Sequence, residues 1–403
     1  MQARVYRFPP LGRAYTHAVP ERPRKVLLVV NALLRGGAEV QLTHLAEGLA
    51  RSGHEVTLCC INDAFVEVDS LHRAGVEIVS LHAGNRFARL RALPRLARLA
   101  RQAEIVQCTI WDASLWGRIA AILARRPVVV ADHATHREIH TSSKGASRER
   151  WVALHNRLLD PFTFATVSVA ATQRAVLLGE GVAPQKIVYI PNGLPIAAMR
   201  AAAAGAPPRA EFGVPDDVPT VMQVGIFRSV KNQIGALEAI AGIRAAGSNA
   251  HLLFVGDGPT KHEIEAKATA LGAEEWVHFF GMRSDVPEML SLADLLVQPS
   301  LADAMPMTVL EAMALGVPIV ASAIGDIPAM LAGRAGLTVP PGDREALEAA
   351  LVELLADPAR RAAMGAAGEE IAAARDSAKM VGSYEALFEA ALDGTTPVVA
   401  VET

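Results

Sequence analysis

Short apolar runs rich in β-branched residues alternate with stretches of helical spacing, and this alternation constrains the fold more than any other feature. In the first half the runs fall at 25–30 (KVLLVV), 55–61, 76–81, 104–108, 128–132, 164–169 and 187–190. Each is too short for a helix and has the near-continuous hydrophobicity of a strand buried on both faces. Strands separated by helices predict a parallel sheet between two helical layers. Ligands of such sheets sit beyond the carboxyl ends of the strands. The pattern starts again at 220–224, in HLLFVGDGP, and at 295–298. A chain of 403 residues is long enough for two such domains.

Composition narrows the classes. The chain is 51% hydrophobic and 20% charged with a net charge of −3, which describes a globular protein without a global pull towards nucleic acid. Cys59, Cys60 and Cys108 all fall in predicted strands and read as buried small hydrophobes rather than metal ligands or nucleophiles. No apolar run reaches the ~18 residues of a membrane span. Residues 1–24 lack the apolar core of a signal peptide and are expected to be a flexible Pro/Arg-rich leader, so a cytoplasmic location is expected. The first strand is not followed by G-x-G-x-x-G, and the chain contains no G-x-x-x-x-G-K-[ST], so dinucleotide and P-loop chemistry are not indicated.

The most informative stretch is 298–321, QPSLADAMPMTVLEAMALGVPIVA. It reads as a strand end, a loop (299–306), a short helix (308–315) stopped by Gly316, and a second strand (317–321). The free N–H groups of that helix favour an anion such as phosphate beyond the loop. Asp303 lies in the loop and Glu311 one turn inside the helix. Glu311 sits among Val309, Leu310, Ala312 and Met313, where a lone carboxylate is costly to bury without a partner, and ribose hydroxyls suit it. In the second half Arg228 and Lys231 stand three apart at the mouth of a strand-to-helix loop, where a planar fork and a point charge can neutralise a diphosphate. In the first half Gly36-Gly37 form a strand-to-helix turn that lets a ligand approach the backbone. His133 ends the VVVAD strand, where an imidazole can donate to a sugar hydroxyl. His136 and His140 follow on the same loop, but their spacing matches no zinc pattern.

The string D-x7-E followed by A-M-A-x-G-x-P-I-V-A-S resembles the E-x7-E signature of retaining glycosyltransferases of the GT-B fold, family 4. GGAE after the first strand, the PNG at 191–193 and G-x-F-R-x-V-K-N at 225–232 resemble further segments of that family. The resemblance implies an α/β architecture of two Rossmann-like domains with parallel sheets facing across a cleft, and a C-terminal helix crossing back onto the first domain. The implied layout is an acceptor domain at 25–200, a nucleotide-sugar donor domain at 201–377, a crossover helix at 378–392 and a loose tail at 393–403. The interdomain connection is expected in the alanine-rich 197–208. The helix periodicity of Met380, Tyr384, Leu387, Phe388 and Leu392 allows the crossover.

Residue by residue, the resemblance implies that His133 and Asp303 hold the donor sugar. Glu311 would hold the ribose. The backbone at Met282 would meet the base, with Arg283 structural or solvated. Arg228, Lys231, Gly36, Gly37 and the 305–308 backbone (Met305, Pro306, Met307, Thr308) would surround the diphosphate. Neither cofactor nor metal is implied. The expected activity is transfer of a sugar from a nucleoside diphosphate sugar, UDP- or GDP-linked, to a glycan, lipid-linked or small-molecule acceptor. A nucleotide-sugar epimerase of the same fold and a silent nucleotide-sugar binder are the alternatives. Asp303 departs from the family's glutamate and shortens the reach by roughly 1.5 Å. Gly325-Asp326-Ile327-Pro328 sits at another strand end and is expected to close over the donor, and Asp285 is a helix N-cap candidate.

Residues 86–101, RFARLRALPRLARLAR, carry six arginines among leucines, and Pro94 is expected to interrupt any helix there. A solvated surface helix and a peripheral contact with anionic lipid both fit this pattern.

Overall fold

A computed structural model of the chain describes residues 22–34, 36–63, 68–109, 111–133 and 145–396, with the backbone alone at 111 and 145–149. The leader up to residue 21, His136, His140 and the tail beyond 396 lie outside the described residues. The chain divides into two compact units, one formed by 195–374 and the other by the described residues up to 194 together with 375–396. The junctions therefore lie a few residues before those expected at 200 and 377.

The first unit's sheet has seven strands: β1 (Lys25–Val30), β2 (Glu55–Cys60), β3 (Glu77–Ser80), β4 (Ile105–Thr109), β5 (Val128–Asp132), β6 (Ala165–Ser168) and β7 (Ile187–Tyr189). Their order is β3-β2-β1-β4-β5-β6-β7 and every pairing is parallel. Both faces are covered, which is why the strands are apolar almost throughout. Cys59 and Cys108 face one core and Cys60 the other. Burial pushes all three thiols up to about 12, so they behave as small hydrophobes.

The second unit's sheet contains β8 (Thr220–Val224), β9 (His251–Val255), β10 (Val277–Phe279), β11 (Leu295–Gln298), β12 (Ile319–Ser322) and β13 (Gly336–Val339), in the order β10-β9-β8-β11-β12-β13. The sheets share a plan: the chain reverses its direction of travel across the sheet between β1 and β4 in one, and between β8 and β11 in the other. Such a switch point opens a crevice for ligands at the carboxyl edge.

The helix Ser377–Asp393 closes the first unit, not the second. Met380, Val381, Tyr384, Leu387 and Phe388 are buried in the core under β1 and β2. Gly48 makes room for this helix, since a Cβ there would stand 2.3 Å from Val381 Cγ2. The return of the chain is fixed at the PNG turn. Leu194 donates to the Arg375 carbonyl at 2.9 Å and Ser377 to the Leu194 carbonyl at 2.8 Å. Gln41 brackets Gly193, accepting from its N–H at 2.8 Å and donating to its carbonyl at 2.9 Å. Arg24 at the chain's entry pairs with Glu104 and Glu389, so the last residues assigned to the leader are anchored.

Two expectations are corrected. Residues 197–208 are not an open connection: Ile196–Ala204 is a helix that packs on Val286–Leu290 within the second unit. Alanine has the best helix propensity, so a stretch poor in pattern is still helical once Ile196 and Met199 are buried. Pro94 does not interrupt the arginine-rich stretch either, because Arg86–Gln102 is one continuous helix. An internal proline costs about 3 kcal/mol. Burial of Leu96, Ala97 and Ala100 offsets that cost, and Asn85 caps the start by accepting from the Phe87 and Ala88 N–H groups.

Candidate active site

Most of the predicted site residues lie at the carboxyl edge of the second sheet, within one unit. The loop after β8 bears Arg228 and Lys231, and the loop after β11 bears Asp303. A short-range network locks the two together. Lys231 Nζ donates to Asp303 Oδ2 at 2.5 Å in a mostly buried ion pair. The Leu301 N–H reaches the Val230 carbonyl at 2.7 Å, and Asn232 Nδ2 the Pro299 carbonyl at 3.2 Å. Asn232 can do this because it sits in the left-handed region at φ 54°, where asparagine is tolerated, and it also caps the following helix through Gly235. Gln223 on β8 supports the turn from below by donating to the Lys231 carbonyl at 2.8 Å.

Beyond Asp303 the chain enters the helix Met307–Ala314 through Pro306, whose ring fixes an entry with no side-chain cap. The first intrahelical bond comes from the Leu310 N–H, so the N–H groups of Met307, Thr308 and Val309 lack helical acceptors. Glu311 lies one turn in. It is half-buried, has no hydrogen-bond partner among the described residues, and burial pushes its carboxyl up to about 7. Arg228 is exposed at the loop mouth with no carboxylate partner among the described residues. Two cations, three N–H groups without helical acceptors and a carboxyl with no partner among the described residues thus lie on loops and a helix start at one strand edge. That set suits an anion joined to a polyol.

Sequence reasoning missed the residues that hold these loops. Gly256 and Gly258 have φ of 142° and 159°, and a Cβ on them would stand 2.0 Å from the Gly225 carbonyl oxygen and 2.4 Å from that of Phe227. The Phe227 N–H completes the contact by donating to the Asp257 carbonyl at 2.9 Å. The FVGDGP string is thus a backbone buttress for the Arg228 loop as well as a turn. Gly325 plays the same part for the Asp303 loop, with φ 51° and a virtual Cβ 2.2 Å from the Asp303 carbonyl oxygen. Asp326 is buried and its N–H donates to the Ala304 carbonyl at 2.8 Å. These contacts tie 325–326 to the Asp303 loop and support it. Paired glycines after a strand are the signal in the sequence, but it does not say which backbone they face.

Met282 is exposed after Gly281, which adopts φ 63°, and the Gly281 carbonyl accepts from the Gly256 N–H at 2.8 Å. Arg283 is engaged with Asp285 through Nε at 2.8 Å and lies over the Phe212 ring, as a structural residue would. Asp285 precedes its helix but makes no capping bond, because Arg283 occupies its carboxylate.

Gly36, Gly37 and His133 belong to the other unit. Gly36 is the extended residue before the helix Gly37–Arg51, with no side-chain cap. His133 follows β5, and burial lowers its imidazole to about 4, so the ring is neutral near pH 7 and keeps one N–H to donate. Among the described residues no group of three His, Cys, Asp or Glu is placed to hold a metal ion, and no helix is long and apolar enough to cross a membrane.

Residues 192–371 match the model of the family described as glycosyl transferases group 1, and residues 36–193 match the glycosyl transferase 4-like domain. Over 255 residues the chain is 26% identical to 2-deoxystreptamine glucosyltransferase of Streptomyces kanamyceticus, covering 59% of this chain and 64% of that protein. Over 116 residues it is 33% identical to the lipopolysaccharide glucosyltransferase WaaG of Escherichia coli, covering 29% of this chain and 31% of that one. The chain thus spans less than two thirds of the length of these curated relatives. Among solved structures, HepE of Anabaena in complex with UDP-glucose superposes with a TM-score of 0.80 at 19% identity, over 91% of this chain and 100% of that one. WaaG superposes with a TM-score of 0.65 at 20% identity, over 92% and 99%. At these identities the structural likeness establishes the fold, two Rossmann-like units of the GT-B type.

Proposed function

The chain belongs to the glycosyl transferases of group 1, with a first domain of the 4-like type, and on that premise we propose that it transfers a hexosyl group from a nucleoside diphosphate sugar, UDP-linked in the first instance, to a hydroxyl acceptor. The observation that carries this reading is the lock between Lys231 and Asp303, with Arg228 exposed beside it and Glu311, which has no hydrogen-bond partner among the described residues, one turn into a helix without a side-chain cap. The preference for UDP rests on the ligands of HepE, crystallised with UDP and with UDP-glucose.

Transfer needs the bond between the anomeric carbon and the diphosphate oxygen to break while a bond to the acceptor oxygen forms. Negative charge grows on the departing diphosphate. Lys231, held by Asp303, and the backbone N–H groups of Met307 to Val309 are fixed before the reaction, with the exposed Arg228 beside them, and preorganised donors of this kind give the largest catalytic effect in a site shielded from water. These protein cations make turnover without a metal the expectation. Asp303, steadied by Lys231, accepts from sugar hydroxyls. Glu311 accepts from the ribose hydroxyls, which favours its ionised form. The resemblance to retaining family members implies front-face substitution with retention, in which the diphosphate oxygen takes the acceptor's proton.

Turnover of anomerically pure UDP-glucose, UDP-galactose and GDP-mannose with a panel of glycan, aminocyclitol and lipid-linked acceptors tests this, with the product anomer assigned by NMR coupling constants. An α-linked product that requires acceptor is expected. Acceptor-independent epimerisation of the donor would favour an epimerase, and binding without any turnover a silent binder.

A further inference from the structure

We propose that Asp303 makes the donor site select a nucleotide sugar over the bare nucleoside diphosphate, by competing with the ligand for Lys231. The inference rests on the donor reading above and goes beyond it, because the same carboxylate then decides which ligand stays and which leaves.

Charge and geometry carry it. Asp303 is the residue at which the D-x7-E string departs from E-x7-E, and its shorter side chain ends on Lys231, with Oδ2 2.5 Å from Nζ. The lysine and aspartate side chains are 21% and 11% exposed, so salt and water screen the pair little. Only one partner can adjust. The lysine charge rides on a flexible aliphatic stem. The carboxylate is carried by a loop tied to its neighbours: the Leu301 N–H bonds to the Val230 carbonyl, Asn232 to the Pro299 carbonyl and the Asp326 N–H to the Ala304 carbonyl, with Gly325 packed against the Asp303 carbonyl. Asp303 therefore stays in place when a ligand arrives.

A phosphate oxygen that accepts from Lys231 lies within roughly 5 Å of the Asp303 carboxylate. At that range like charges in a partly buried site repel strongly enough to change affinity by about tenfold or more. The second carboxylate oxygen, Oδ1, has no hydrogen bond among the described residues. A sugar hydroxyl that donates to it offsets part of the repulsion. A bare diphosphate brings no such donor, and its terminal phosphate carries roughly one more negative charge near pH 7 than the diester of a nucleotide sugar. The ion pair is thus compatible with the donor and opposes the nucleotide left after transfer, so its return favours release of that product.

Calorimetric titration of UDP, UDP-glucose and uridine into the wild-type full chain, Asp303→Asn and Asp303→Glu tests this. Asp303→Asn keeps the shape and removes the charge. UDP should bind it about tenfold more tightly than it binds the wild type, UDP-glucose no more tightly, and uridine, which brings no phosphate, equally. Asp303→Glu keeps the charge and should retain the wild-type preference for UDP-glucose over UDP. Asp303→Ser is a second charge-free variant for the case that Asp303→Asn does not fold. Weaker or unchanged UDP binding by a folded charge-free variant would overturn the proposal. So would UDP and UDP-glucose shifting by the same factor, or Asp303→Glu behaving like Asp303→Asn. Wild-type protein that binds neither UDP nor UDP-glucose would contradict the donor reading itself, and this inference with it.

Discussion

Strands β4 and β11 occupy the same place in their two sheets, each beside the unit's first strand at the switch point, and they end in the same device. Gln107 Nε2 donates to Thr109 Oγ1 at 2.7 Å, and Gln298 Nε2 donates to Ser300 Oγ at 2.9 Å. Both amides are buried, and in both the Oε1 atom has no partner among the described residues. The continuations differ. After β4 the chain passes into the helix Trp111–Ala124, whose first acid, Asp112, pairs with Arg89 on a neighbouring helix. After β11 it forms a loop bonded to the β8 loop, braced by Gly325, and leading to a helix start with free N–H groups. The scaffold and its buried polar ending come with the topological position. The ligand site comes from what the following loop is tied to.

The largest effect should come from the tie itself. Lys231→Ala removes a cation from the diphosphate and leaves Asp303 mostly buried without its ammonium. We expect kcat/KM to fall by on the order of 100-fold or more, mainly in kcat, whereas Arg89→Ala on the β4 side should leave turnover within about twofold. Steady-state kinetics of the two variants decides whether the halves differ as described.

Bracing comes next. Gly325→Ala sets a Cβ against two carbonyl oxygens at positive φ, and should cost about 2–4 kcal/mol in chemical denaturation and weaken UDP binding. Gly53→Ala, also at positive φ but with open space around it, should cost only about 1 kcal/mol and leave UDP binding alone. Equal costs at both positions would remove the buttress from the account.

Glu311 sharpens the comparison through pH. Its folded carboxyl stands near 7, above the ordinary value, so the folded apo protein holds a proton that the unfolded chain has released. Stability from this group is present below about pH 4 and is lost as pH rises through 7, a loss of about 1–3 kcal/mol that Glu311→Gln should abolish. Nucleotide binding has the opposite slope. Ribose hydroxyls favour the carboxylate, so UDP affinity should drop by up to about tenfold per pH unit below 7 in the wild type, and stay flat in Glu311→Gln. Melting and binding measured from pH 5 to 8 check both signs.

The smallest effects belong to the shared device. Gln107→Leu and Gln298→Leu each remove an amide whose oxygen is already unpaired, so each should change stability by no more than about 1 kcal/mol. Only Gln298→Leu should lower UDP affinity, because only Ser300 leads into the ligand loop.

Much of this was legible in the sequence, for a physical reason. Strands buried on both faces announce themselves by continuous apolar runs, and Arg228, Lys231 and Asp303 stand in loops that follow strands, with Glu311 one turn into the next helix, where charge breaks an apolar pattern. Partnership was less legible. Nothing in the string FVGDGP says that Gly258 faces Phe227, and nothing in Gly325 says that it faces Asp303, because both contacts are set by loop packing across neighbouring strands. The helix Ile196–Ala204 was hidden because alanine has propensity without pattern.

Calorimetric titration of UDP, GDP, ADP and dTDP into wild-type protein and into Glu311→Ala, first without metal and then with magnesium, tests the central claim most directly. The account predicts metal-independent binding of one nucleotide, UDP foremost, which is lost in the variant. Folded protein that binds none of the four, or a Glu311→Ala variant that binds as well as the wild type, would contradict the assignment of the donor site to the loops after β8 and β11.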